Sequence, residues 1–146
     1  MKGYKHILVG VDFSVNSRAA AIRGASLARQ EGAALTLVHV IEHFPQDIPI
    51  DAIPPEDVDP AAFYLNRARS NLAKLASDLD YPTIGQEVVM SSRSANYEIV
   101  SLARTRPVDL IVVGANAGDA IATLGSTAMA ISHHAPCDVL VVRAES

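Results

Sequence analysis

Tryptophan is absent, a single cysteine (Cys137) is present, and aromatic residues make up only 5% of the 146 positions. One cysteine cannot close an internal disulfide or build a cysteine-rich metal site. With so few aromatics, a core drawn from the 49% hydrophobic content has to be assembled from Ala, Val, Ile and Leu. That favours aliphatic strands under Ala-rich helices over an aromatic-rich sandwich. Excess positive charge is lacking too, since 12 Lys and Arg face 16 Asp and Glu for a formal net charge of −4. No basic surplus neutralises a phosphate backbone, which argues against a nucleic-acid partner. Long apolar runs are missing as well. The first, Ile7–Val11, is too short for a signal peptide's apolar region or a membrane span. The expectation is one cytoplasmic domain over 1–146, with no membrane partner.

What is present is a rhythm. Ile7–Val11 is a β-branched-rich run of the kind buried on both faces of a sheet. Ser14 can cap a helix from about Val15 to Gln30, with apolar positions including Ile22, Ala25 and Ala28, and Gly32 suits the left-handed closing position. A second buried strand spans Ala34 to Val40. The stretch 41–60 then changes texture: five prolines and six acids, with no Lys or Arg. It reads as a long acidic crossover within the single domain, either a solvated excursion or a lid or partner surface.

Pro60 fits the first turn of an amphipathic helix through Leu65, Ala68, Leu72, Leu75, Ala76 and Leu79. Gln86 to Met90 mixes polar with apolar positions, as an edge strand does. A short helix through Ile99, Leu102 and Ala103 follows, then an apolar strand from Asp109 to Val113, a small-residue loop, and a helix from Gly125-Ser126-Thr127 to about His134. Val139 to Val142 makes a fifth strand. Strands alternating with helices wind right-handed into an α/β parallel sheet covered on both faces.

In such a sheet, ligands sit beyond the carboxyl ends of the strands. Asp12 is the carboxylate there; it can accept from an amine or hydroxyl of a ligand, or cap the turn into the next helix. Gly114, Gly118 and Gly125-Ser126 let backbone approach a ligand, and amides at a helix start favour an anion, with Ser126 and Thr127 adding hydroxyls. The alternative is a turn followed by an ordinary cap at Ser126. The spacing matches neither the Walker loop nor the dinucleotide fingerprint. His39 reads as a core or strand-edge residue, His133 and His134 as cations suited to a helix end, and Cys137 as a packed thiol. No acid, base and nucleophile assemble, so no catalytic residues are assigned, and no metal-ligand spacing occurs.

The stretches 4–14, 35–40 and 108–114, and 125–127 continuing through 134–143, resemble the universal stress protein family across nearly the whole chain. The resemblance implies a three-layer open sheet of five parallel strands in the order 3-2-1-4-5, with helices on both faces, as in the adenine nucleotide alpha hydrolase-like fold. It also implies a homodimer through the fifth strand, Val139 to Val142, consistent with an apolar edge that needs cover. Some members bind ATP with a G-x2-G-x9-G-[ST] loop; from Gly114 to Gly125 this loop is two residues shorter and its middle glycine is displaced by one. That length resembles the branch that does not retain ATP, yet the small residues of a phosphate cradle persist.

In nucleotide-binding relatives, positions matching Asp12 and the backbone of Val40 hold the adenine end. Gly114 and Gly118 would lie against ribose and phosphates, and Gly125, Ser126 and Thr127 against phosphates. The cofactor implied is ATP or AMP, with Mg²⁺ entering only with the nucleotide. The function implied is a non-enzymatic regulatory dimer acting on a protein partner, the alternative being an ATP-binding switch with slow hydrolase or nucleotidyl-transfer activity. Against the alternative, Asp12–Ser17 carries neither an H-x-G-H nor an S-G-G-x-D-S signature. A phosphoacceptor receiver would need an acidic pair after the first strand and an aspartate ending the third, where Met90-Ser91 stands.

Overall fold

Aliphatic runs and capped helices alternate along the chain in the order β1 (His6–Gly10), α1 (Val15–Glu31), β2 (Ala34–Glu42), α2 (Pro60–Asp78), β3 (Ile84–Ser91), α3 (Ala95–Thr105), β4 (Leu110–Gly114), α4 (Ser126–His134) and β5 (Asp138–Val142). The computed structural model describes residues 3–42, 56–57, 59–115 and 125–144. Most of the acidic crossover 41–60, and Gly118, lie outside the described residues. The five strands form one parallel sheet in the order β3-β2-β1-β4-β5, as the family resemblance implies.

Local chemistry sets the helix boundaries. The Ser14 side chain accepts from Ser17 N at 3.2 Å, and Gly32 closes α1 at φ 65. Asp59 caps α2, accepting from Ala61 N at 3.2 Å ahead of Pro60, and Ser94 caps α3. The start of α4 differs from expectation: Gly125 occupies the cap position with no side-chain hydrogen bond, and Ser126 is the first helical residue.

Alternating strand residues feed two cores. Ile7, Val9, Leu35, Leu37, Leu110 and Val112 pack under α1 and α2, and Leu8, Val38, Ile111 and Val113 pack against Ile99, Ala103, Ala128 and Ile131. Every buried hydrophobic residue among those described is Ala, Val, Ile or Leu. The buried face of α1 keeps Ala25 and Ala28 of the apolar positions read for it but not Ile22. It consists of Ser17, Ala20, Ala21, Gly24, Ala25 and Ala28, while Ile22 is 53% exposed. Small residues win because the helix lies close to the sheet: a Cβ on Gly24 would stand 2.7 Å from Val9 Cγ2. At the amino-terminal edge, Asp109 joins β1 to β4 by accepting from Lys5 N at 2.8 Å and His6 N at 3.0 Å.

Candidate functional site

β1 lies between β2 and β4, so the strand order reverses there, and the carboxyl ends of β1 and β4 frame a crevice. Beyond Gly10 the chain keeps one more rung, Val11 N to Val38 O at 2.8 Å, before it turns. The turn is built on Asp12. Its Oδ1 accepts from Ser14 N at 2.9 Å, and its own amide donates to the Ser17 hydroxyl at 3.2 Å. Partial desolvation alone would raise the Asp12 pKa, but hydrogen bonds from Ser14 and Ser17 outweigh it and hold the carboxyl below its ordinary 3.8. Asp12 is therefore an exposed anion at the strand end that caps the turn into α1, the second of the two roles read for it.

The β1–β2 register closes at Gly10 opposite Val38, two residues before Val40. The β1-side edge of Val40 thus lies past the last paired rung, beside the Val11–Asp12 segment. Between them stands His39, which takes a role the sequence does not announce. Its Nδ1 lies 2.6 Å from the Val11 carbonyl. A carbonyl only accepts, so Nδ1 carries the proton and Nε2 the lone pair. Burial pushes the His39 pKa down from 6.5, against the opposing pull of the Val11 carbonyl and the Asp12 charge, so the ring is neutral at pH 7. The Phe13 ring packs on it, centroids 4.6 Å apart at 43°. Phe13 itself has φ 64, a left-handed backbone that costs a side-chain-bearing residue about 1–2 kcal/mol.

These shifts set a pH dependence. Because His39 is depressed in the fold, the unfolded chain protonates first as pH falls below 6.5. Stability should then decline below that pH until the folded ring titrates, and Asp12 should add a second loss as pH falls through its own lowered value. His39→Asn, whose amide can replace the Nδ1 donor, should flatten the melting-temperature profile between 6.5 and the onset of the carboxylate transition. An unchanged profile would count against this assignment.

At the β4 end the structure divides the predicted glycines. A Cβ on Gly114 would stand 2.6 Å from the Asn16 carbonyl carbon and from Ser17 N. Its missing side chain is thus filled by the first turn of α1 rather than left open for a ligand. Gly125 begins α4 as a cap residue with no side chain to offer the first helical amides, Ser126 is exposed, and Thr127 is half-buried.

Asn16, which sequence reasoning did not single out, joins the two strand ends. Its Oδ1 accepts from Ala144 N at 2.7 Å, and its Nδ2 donates to the Ala115 carbonyl at 3.4 Å. Further out, Glu42 Oε1 accepts from Ala95 N at the start of α3, and the Arg93 guanidinium lies 4.5 Å over the Tyr97 ring.

A separate cleft of about 450 Å³ between α2 and β3 is lined by Arg69, Leu72, Gln86, Glu87 and Val88, none of them a predicted site residue. Glu87 there is held by Arg106, whose hydrogen bond lowers its pKa. Cys137 is half-buried, and desolvation raises its thiol pKa, as a packed thiol requires. His133 and His134 lie exposed in the last turn of α4. Among the described residues, no three His, Cys, Asp or Glu side chains group to hold a metal, and no helix is long and apolar enough to cross a membrane.

The same arrangement recurs in known proteins. A solved structure of universal stress protein UspA from Lactobacillus plantarum superposes with a TM-score of 0.71 at 27% identity, covering 97% of this chain and 99% of that one. Two solved universal stress proteins share the fold at lower identity. One, in complex with cAMP, has a TM-score of 0.70 at 23% identity, covering 98% of this chain and 99% of that one. The other, from Archaeoglobus fulgidus in complex with dAMP, has a TM-score of 0.62 at 19%, covering 97% and 99%. Universal stress protein A homolog 1 of Coxiella burnetii is 36% identical over 140 residues, 95% of this chain and 96% of the relative. The universal stress protein family model matches residues 3–143, and with the strand order already in agreement, the chain belongs to the universal stress protein family.

Proposed function

We propose that the chain is a non-enzymatic stress-response regulator that takes an adenine nucleotide across the crevice between β1 and β4. The observation that carries this reading is the start of α4. Its cap position is held by Gly125, which has no side chain to occupy the first helical amides, and the helix follows β4 at the point where strand order reverses. A helix start of that kind favours a phosphate. Asp12 and the open edge of Val40 supply an acceptor and backbone groups for the base end, and Gly125, Ser126 and Thr127 supply donors for phosphates. Gly114 enters as a packing residue that brings β4 against α1, leaving only its backbone for the ribose. Gly118 completes the set by sequence position alone. The cAMP and dAMP complexes of related proteins support a nucleotide of the ATP or AMP class. Mg²⁺ would accompany a triphosphate as the counter-charge to its phosphates.

The same reading makes the protein a homodimer through β5, and its output a contact with a regulatory protein partner. β5 pairs with β4 on one side, and its residues Val139 to Val141 are only half-buried at the sheet edge. An apolar edge of that kind calls for a second strand.

Adding ATP with Mg²⁺ should raise the unfolding free energy by about 2.7 kcal/mol at a hundredfold excess over the dissociation constant. Asp12→Ala should abolish the accompanying rise in melting temperature. Anion-exchange chromatography of the denatured protein should release ATP or AMP. Absence of both released nucleotide and thermal shift at millimolar ATP overturns the reading, and sustained turnover lost in Asp12→Ala replaces it with an enzymatic one.

A further inference from the structure

We propose that Phe13 is the stacking surface for the base of the bound nucleotide, with the His39 imidazole as its fixed backing; this inference rests on the nucleotide reading above. The turn after β1 does not itself call for an aromatic residue. At φ 64 a glycine would adopt the conformation without strain, yet a phenylalanine stands there with 39% of its surface exposed. Strain held at a strand end is a mark of a functional position.

The ring is also backed by a neighbouring ring. Its centroid lies 4.6 Å from that of His39, which is half-buried and pinned through Nδ1 to the Val11 carbonyl. Phe13 follows Asp12 directly, and His39 precedes Val40, so the aromatic pair sits between the two groups assigned to the base end. A planar surface fixed before the ligand arrives costs no ordering on binding. Stacking is tolerant of base identity because every base has a π-face, and the larger purine ring offers more area. The site is therefore expected to take purine nucleotides, with hydrogen bonds accepted by Asp12 and made by the backbone of Val40 choosing among them.

Calorimetric titration of the purified full chain with ATP and with inorganic tripolyphosphate tests the assignment. Phe13→Gly should bind ATP about tenfold more weakly, the equivalent of about 1.4 kcal/mol, while its affinity for tripolyphosphate stays at the parental value. Its melting temperature should equal or exceed the parent's, because glycine relieves the left-handed strain. Phe13→Tyr should retain ATP affinity. A Phe13→Gly variant that binds ATP as the parent does, or that loses ATP and tripolyphosphate equally, overturns the stacking role and leaves the nucleotide reading standing. Failure of the parental protein to bind ATP removes the nucleotide reading and this inference together.

Discussion

Gly114→Ala should lower stability by about 3 kcal/mol, because the new methyl group has nowhere to go. Its nearest neighbours would be backbone atoms of Asn16 and Ser17, at 2.6 Å, and not the end of a side chain that can swing aside. Relief requires α1 to move off β4, and that strains the Asn16 bonds to Ala115 and Ala144 and the Asp12–Ser17 turn. A drop in melting temperature of roughly 10 °C is expected by calorimetry. Gly32→Ala is the matching control. It has open space around its Cβ but φ 65, so its cost should be limited to about 1–2 kcal/mol of left-handed strain. Equal losses in the two variants would mean that the close approach at Gly114 is not what limits it.

Val141→Lys should convert the proposed dimer to a monomer or to insoluble protein. Val141 is half-buried in β5, opposite Val113 and packed against the second core. A lysine there places charge on the edge that the partner strand would cover, which natural sheets use to block edge pairing. Light scattering should give twice the chain mass for the parent and the single-chain mass for any soluble variant. A dimeric Val141→Lys protein would move the interface elsewhere.

The architecture was legible in the sequence because burial on both faces leaves unbroken aliphatic runs, as at Ile7–Val9 and Leu110–Val113. The mixed pattern of 86–90 marked β3 as the edge that it is. On α1, Ala25 and Ala28 could be read from hydropathy but Ser17 could not, because hydropathy ranks Ile22 above Ser17, whereas close helix–sheet packing selects by size. At the site, Asp12 and its capping serine could be read from position alone. The turn's other members could not. A phenylalanine carries no sign that it will adopt φ 64, and the bond from His39 to Val11 depends on a strand pairing between residues 28 apart. Gly114 was visible as a glycine, but only the approach of α1 distinguishes a packing glycine from one bared to a ligand.

The bond from Asp109 to the amides of Lys5 and His6 spans 103 residues of sequence at its shortest. β1 is the middle strand of the sheet, yet it acquires its β4 neighbour only after three helices and two further strands have been made. At about 5–20 residues per second of synthesis, one edge of Ile7-Leu8-Val9 waits roughly 5–20 s for its partner. The nascent chain thus carries its middle strand half-paired for much of its production. Slow translation or early termination before Leu110 would leave that open edge as a site for wrong pairing.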